Sequence, residues 1–207
     1  MGLLRKIFNQ TRKPEGFLGK IMVSTMNSGH RKNADWGISQ LRIRDPRKIL
    51  DVGCGGGGNL AELGKIFPGA VLYGIDYSDI SVEASKKYNQ KAIEKEKCFV
   101  FQGDVSSLSF EDDSFDLVTA FETVYFWPGL EKCFREVHRV LKEGGVFLIV
   151  NESDGTDKTS KDFEKIIDGM KNYTAEEIET ALKKAGFKTV KSFHHEKKPW
   201  IAVEAEK

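Results

Sequence analysis

The stretch that most limits what this chain can fold into is "RKILDVGCGGGGNLAELGKIF", residues 47–67. An aliphatic run enters four consecutive glycines and leaves as an amphipathic segment that stops at Pro68-Gly69. KILDVG has the residue types of a strand, and NLAELGKIF those of a short helix. Glycine has no Cβ and accepts positive φ, so the turn between them lets backbone come close to a bound group. In an open α/β sheet, that turn lies at the carboxyl end of the strand, where ligands bind.

The rest of the chain repeats the alternation. AVLYGID predicts a second strand, followed by a helix over SDISVEASKKYNQKAIEK with Ile80, Ala84 and Tyr88 on one face. CFVFQGD and SFDLVTAFE predict strands three and four. PGLEKCFREVHRVLKEGG predicts a helix with Pro128 near its start and Gly144 past its end, and VFLIVNE predicts strand five. Nearly continuous apolar strands separated by helices imply a parallel sheet covered on both faces. The alternation then breaks. After a helix capped by Thr174 and stopped by Gly186, KTVKSFHHEKK and PWIAVEAEK follow with no helix between them, which predicts an antiparallel pair at the end of the sheet. The expectation is a Rossmann-like three-layer α/β/α sandwich with a seven-stranded, mostly parallel sheet. Residues 1–45, basic and different in composition, are expected to form a helical lid on a core of residues 46–207, with a charged insert at 153–172.

Composition narrows the function. The 207 residues suit one core, and 32 basic against 31 acidic residues leave a net charge of +1, with no global field for a polyanion. No apolar run reaches membrane-spanning length, and the first thirty residues lack a secretory h-region, so a cytoplasmic protein without stable membrane insertion is expected. In LLRKIF, Leu3, Leu4, Ile7 and Phe8 share a helical face beside Arg5 and Lys6, which suits a lid packing on its own domain or a contact with a membrane or partner. Cys54, Cys98 and Cys133 lie far apart with no histidine at ligand spacing, so no metal site is expected. Cys133 falls on the apolar stripe Leu130, Cys133, Phe134, Val137, Val140, Leu141 and reads as core.

The glycines allow two registers. Gly53, Gly55 and Gly58 satisfy the dinucleotide pattern G-x-G-x-x-G, while Asp51, Gly53, Gly55 and Gly57 satisfy the D-x-G-x-G-x-G loop of S-adenosylmethionine (SAM) enzymes. Asp76, twenty-three residues after Gly53, can accept both hydroxyls of an adenosine ribose, which NAD and SAM share. Asp51 discriminates in part. A carboxylate there is unfavourable beside a diphosphate and favourable beside an ammonium and a sulfonium. Asp104 could accept a hydrogen bond from an adenine amino group, with the amide of Val105 alongside.

Taken in order, ILDVGCGGGGNL, LYGIDYSDISVEAS and FQGDVSSLSFEDDSFDLVTAFETVYFWPGLEKCFREVHRVLKEGGVFLIVNE resemble the class I SAM-dependent methyltransferases, most nearly the small-molecule group with the ubiquinone and menaquinone biosynthesis enzymes. The resemblance covers about residues 47–152 in detail. It implies that Asp51, Gly53, Cys54 and Gly55 border the methionine moiety and that Asp76 binds the ribose. It further implies that Tyr77 packs on the adenine, that Asp104 and Val105 meet its amino edge, and that Phe121 flanks the cofactor.

Methyl transfer from a sulfonium needs position and dryness more than a catalytic group, and a base only if the nucleophile arrives protonated. The acceptor side is expected after strand four, in FETVYFWPG. The Asn/Asp-Pro-Pro-aromatic motif of enzymes that methylate DNA amines is absent, as is a Pro-Cys, which argues against nucleic-acid acceptors. Glu122 is a candidate base or cation-binding group, Tyr125 and His30 are further catalytic candidates, and Trp36, Glu122, Tyr125 and Phe126 are candidate pocket residues. Trp127 reads as packing, and His138, expected on the outer side of its helix, is given no role. His194 and His195, adjacent on a strand, point to opposite faces and cannot chelate one ion in regular geometry. The expected activity is methyl transfer from SAM to a small molecule. A SAM-binding sensor or partner subunit and, with less support, an NAD-dependent oxidoreductase are the alternatives.

Overall fold

A computed structural model describes Phe8–Thr11, Pro14, Gly16, Gly19, Val23 and residues 30–207. Leu3, Leu4 and Ile7 of the basic amphipathic patch lie outside the described residues. Seven strands form one sheet: β1 (Lys48–Val52), β2 (Val71–Asp76), β3 (Cys98–Gln102), β4 (Phe115–Phe121), β5 (Leu141–Asn151), β6 (Thr189–His194) and β7 (Ile201–Glu206). Their order is β3-β2-β1-β4-β5-β7-β6. The first five pair in parallel, and β7 lies antiparallel between β5 and β6. The order reverses between β1 and β4, which makes the crevice above these strands the place for a ligand.

Helices α1 (Arg31–Ile38), α2 (Gly58–Ile66), α3 (Asp79–Tyr88), α4 (Gln90–Ile93), α5 (Leu130–Val140), α6 (Lys158–Ile166) and α7 (Ala175–Ala185) lie between and around the strands. Each face of the sheet has its own core. One gathers Val118, Phe147 and Ile149 with Cys133, Phe134, Val137 and Val140 of α5 and Ile178 and Leu182 of α7. The other joins Ile49, Leu117 and Leu148 to Leu60 and Leu63 of α2 and to Ala34 and Ile38 of α1. Helix α1 sits very close to β5. A Cβ on Gly37 would lie 2.3 Å from Val150 Cγ2, so this part of residues 1–45 is built into the body.

Two helix boundaries differ from the expectation. The segment predicted as one helix over 78–95 breaks at Asn89 (φ −99°, ψ 14°), whose side-chain amide donates to the carbonyls of Gly57 (3.0 Å) and Ser85 (3.1 Å). That residue ties the glycine turn to α3. The helix predicted to run up to Gly144 ends at Val140, because Leu141, fully buried, turns extended and pairs with Phe115 at the start of β5. Gly144, at φ 72°, then lies within that strand's irregular beginning rather than at a helix end.

The insert after β5 carries α6, capped by the Asp157 carboxylate on the amide of Ser160 (2.9 Å). It meets the N-terminal segment twice. Phe8 packs edge-on to Phe163 with ring centroids 5.5 Å apart, and the Asn9 side chain donates to the Asp168 carboxylate (3.1 Å) and accepts from the Asp168 backbone amide (2.8 Å). No helix among the described residues is long and apolar enough to cross a membrane.

Candidate cofactor and acceptor site

Parallel pairing sets the ends of β1, β2, β4 and β5 side by side, and one cavity of about 300 Å³ opens above them. Its floor is the glycine turn. The amides of Gly53 and Cys54 both donate to the carbonyl of Ile75, at 2.8 and 2.9 Å, which pins the turn to the end of β2. Gly53 has φ 76°, and a Cβ there would stand 2.3 Å from Thr123 Oγ1, so the closeness of the β1 and β4 turns requires glycine. Gly55 also has positive φ, 52°, yet a Cβ on it would meet nothing within 4 Å. One glycine serves packing; the other faces open space beside the cavity.

Asp76 is 8% exposed and lines the cavity with its carboxylate already oriented. Its Oδ2 accepts from the Gly55 amide and its Oδ1 from the Ser78 amide, each at 2.9 Å. Burial raises its pKa, and the two amides oppose that rise. Tyr77, 43% exposed, and Gly103, Asp104 and Val105 form one wall. Asp104 Oδ1 holds the amide of Ser106 at 2.7 Å. Cys54 and Phe121 also line the cavity, and burial keeps the Cys54 thiol protonated.

Asp51 does not reach the cavity surface. It is 1% exposed and lies beneath the turn, where Oδ1 accepts from Thr119 Oγ1 at 2.8 Å. Burial, with a smaller contribution from Asp76, pushes its carboxyl up to about 7 against the pull of that hydrogen bond. Any influence of Asp51 on a bound cation is therefore exerted through charge rather than contact.

The opposite end of the cavity is made by Phe121, Glu122, Thr123, Phe126, Trp127 and Pro128 with His30, Pro14 and Val23. Glu122 takes a left-handed φ of 55°, rare for a residue with a side chain. Its carboxylate is fixed at both oxygens: Oε1 accepts from the Glu152 amide at 2.5 Å and Oε2 from the Tyr125 hydroxyl at 3.1 Å. Desolvation lifts it to about 7, with His30 lowering it and Glu152 adding to the rise. The Tyr125 hydroxyl is held well above its ordinary pKa by burial and by Glu122. His30 is raised chiefly by Glu152, whose Oε2 lies 3.3 Å from Nδ1.

Two expectations about the pocket need correction. Trp36 does not line the cavity; its ring packs against His195 (5.4 Å between centroids) and Trp200 (6.2 Å), because the helical turn of α1 directs it toward the β6–β7 connection. Tyr125 also stays off the cavity surface and acts on it from behind, through its hydrogen bond to Glu122 and its ring contact with Phe126 (4.7 Å between centroids). Conversely Trp127, read as packing, does both: it stacks on Phe147 in the core, donates from Nε1 to Thr123 Oγ1 at 3.1 Å, and lines the cavity. Glu152 carries no signal of its own in the sequence; one residue past β5, it comes beside Glu122 and donates its amide to that carboxylate. Sequence spacing argued against a metal site, yet the fold gathers His30, Glu122 and Glu152.

Residues 50–149 match the methyltransferase domain family model. The sheet has the Rossmann-like fold of the class I methyltransferases. The sterol 24-C-methyltransferase of Aspergillus fumigatus is 35% identical over 157 residues, covering 72% of this chain and 41% of that protein. The Candida albicans sterol 24-C-methyltransferase is 33% identical, with 72% and 42% covered. The chain thus spans about two fifths of the length of the curated relatives it matches. Among solved structures, a SAM-dependent methyltransferase from Aquifex aeolicus superposes with a TM-score of 0.74 at 17% identity, covering 90% of this chain and 97% of that one. A phosphoethanolamine N-methyltransferase 2 from Haemonchus contortus, solved with S-adenosylhomocysteine, gives 0.76 at 18% identity, with 100% and 61% covered. These two likenesses speak to fold.

The residues present fit SAM. The turn leaves open space at Gly55, and an oriented carboxylate waits at Asp76.

Proposed function

We propose that the chain transfers the methyl group of SAM to a small, largely apolar acceptor. One observation carries this reading: a single cavity joins the glycine turn and Asp76 to an aromatic end that holds one carboxylate. SAM supplies a methyl group on a good leaving group. The chain's part is to hold an acceptor against that methyl and keep water out.

On this reading Asp76 takes the ribose hydroxyls, Tyr77 covers the adenine, and Asp104 and Val105 meet its amino edge. Gly53, Cys54, Gly55 and Phe121 enclose the methionine part, and Asp51 favours its positive charges from below. Phe126 and Trp127 hold the acceptor, whose reacting atom comes to lie toward Glu122 and His30. The apolar lining suits a planar or isoprenoid-like molecule, in keeping with the sterol enzymes among the relatives and with the quinone-pathway resemblance of the sequence. Among the described residues the lining carries no lysine or arginine, so it does not offer the basic surface that nucleic acid needs. The reading places the chain in the cytoplasm.

Calorimetric titration with SAM, S-adenosylhomocysteine and NAD in parallel is the first test. Binding of the first two without NAD is expected, followed by transfer of labelled methyl from SAM into a fractionated small-molecule extract. Binding without any transfer would favour the sensor or partner-subunit reading, and selective binding of NAD would overturn both.

A further inference from the structure

We infer that His30, Glu122 and Glu152 form a binding site for one divalent transition-metal ion at the acceptor end of the cavity. The three side chains come from separate places in the chain: the turn before α1, the residue after β4 and the residue after β5. One donor atom from each lies within 4.8 Å of the other two. Donors bound at about 2.1 Å to a common ion stand about 3–4 Å apart, so small side-chain rotations close the set.

Three further observations point to a cation. First, among the described residues neither Glu122 nor Glu152 has a lysine or arginine within ion-pairing distance, and His30 is the only basic group paired with either. Arg31, next in sequence, is turned away to Asp35 and Glu62. Second, His30 Nδ1 is shut off from solvent and makes no aligned hydrogen bond, although it faces Glu152 Oε2 at 3.3 Å. Third, the amide of Glu152 and the hydroxyl of Tyr125 each occupy one lone pair of a Glu122 oxygen, fixing the carboxylate while leaving acceptor capacity on both oxygens. Such outer partners are what orient metal ligands.

The donor set names the class of ion. One imidazole with two carboxylates suits Zn²⁺, Mn²⁺ or Fe²⁺; a site for Ca²⁺ or Mg²⁺ would be all oxygen, and one for Cu⁺ would use sulfur. His30 and Glu122 both line the cavity, so the remaining coordination positions face the space where an acceptor enters. An acceptor carrying a hydroxyl, carboxyl or carbonyl oxygen could be oriented there. That last step rests on the methyltransferase reading; cation binding does not.

The test uses the full chain, stripped with chelator and dialysed at pH 7.5, titrated with MnCl₂ while free Mn²⁺ is read by electron paramagnetic resonance, and with ZnCl₂ by calorimetry. One equivalent should bind at micromolar or tighter Kd. Glu152→Gln and His30→Ala should each weaken it at least tenfold while leaving SAM affinity within about threefold. Glu122→Gln is a third variant; if it fails to fold, the other two still decide. Absence of saturable binding below millimolar ion, or binding that survives Glu152→Gln and His30→Ala unchanged, would overturn the site. SAM binding without ion binding would sink this inference and leave the methyltransferase reading standing; loss of SAM binding in the unmodified chain would do the reverse.

Discussion

The two ends of the cavity are built on different plans. At the cofactor end, backbone does most of the work. Glycines at 53, 55 and 57 take positive φ, amides of Gly53 and Cys54 clamp the turn to Ile75, and one carboxylate is aimed by two amides. At the acceptor end, side chains from three segments meet: His30, residues 122–127 (Glu122 with Tyr125, Trp127 with Thr123), and Glu152. A turn of glycines fits the part of a ligand that never changes, whereas a meeting of side chains can be altered one residue at a time. Substitutions in the glycine turn should therefore be fatal, and those among the meeting side chains should retune.

The largest effect is expected at Gly53. Gly53→Val places a branched side chain at φ 76° and drives it into Thr123 Oγ1, which a Cβ alone would approach to 2.3 Å. Left-handed strain for a β-branched residue costs roughly 1–3 kcal/mol before the clash is counted. Urea denaturation should show that loss, and SAM binding should fall more than 100-fold. A stable Gly53→Val protein that binds SAM normally would mean that the two turns are not held this close.

Next comes Asp76→Ala, which removes a charge-assisted acceptor and leaves the Gly55 and Ser78 amides without their partner. A loss of about 2–3 kcal/mol in SAM binding is expected, or roughly 30- to 150-fold in Kd. Unchanged affinity in a folded variant would remove the ribose assignment.

Asp51 gives a third, pH-resolved test of the cofactor end. Its carboxyl is pushed up to about 7 in the fold from an ordinary 3.8. Between those values the folded chain binds the proton that the unfolded chain has lost, so Asp51 favours folding below about pH 4 and that contribution disappears as pH rises through about 7. Wild type should therefore lose about 1–3 kcal/mol more stability than Asp51→Asn between pH 5 and pH 7, measured by urea denaturation at each pH. Parallel stability curves for the two proteins would show that Asp51 is ionised throughout.

This contrast also explains what the sequence revealed. The strand, glycine turn and helix that floor the cavity were legible because they are contiguous, and Asp76 ends the next strand at a spacing set by one crossover. The sheet was readable because buried parallel strands are continuous apolar runs, and the missing last helix marked the antiparallel pair. Helix ends were less so. Asn89 leaves α3 to bind Gly57, thirty-two positions away, and Leu141 leaves α5 to pair with Phe115. Glu152 needed the pairing of β4 with β5 before its nearness to Glu122 had any meaning. It could have been found by treating the first residue beyond every parallel strand as a neighbour of the others. Trp36 misled because an aromatic in the segment before the core was assigned to the lid, when the closeness of Gly37 to Val150 fixes α1 against the sheet.

Trp36 supplies the smallest expected effect and the clearest boundary to the acceptor end. Its ring touches His195 and Trp200, which touch each other at 4.9 Å between centroids, and none of the three lines the cavity. Trp36→Phe keeps an aromatic contact while removing part of its area, so a stability loss of about 0.5–1.5 kcal/mol is expected. SAM affinity should stay within twofold, and so should the KM of any acceptor found. A Trp36→Phe protein of normal stability with acceptor KM raised tenfold would extend the acceptor end across α1 to the β6–β7 connection. The cavity would then be only the inner part of a longer groove, and the division between a backbone-built and a side-chain-built end would have to be redrawn.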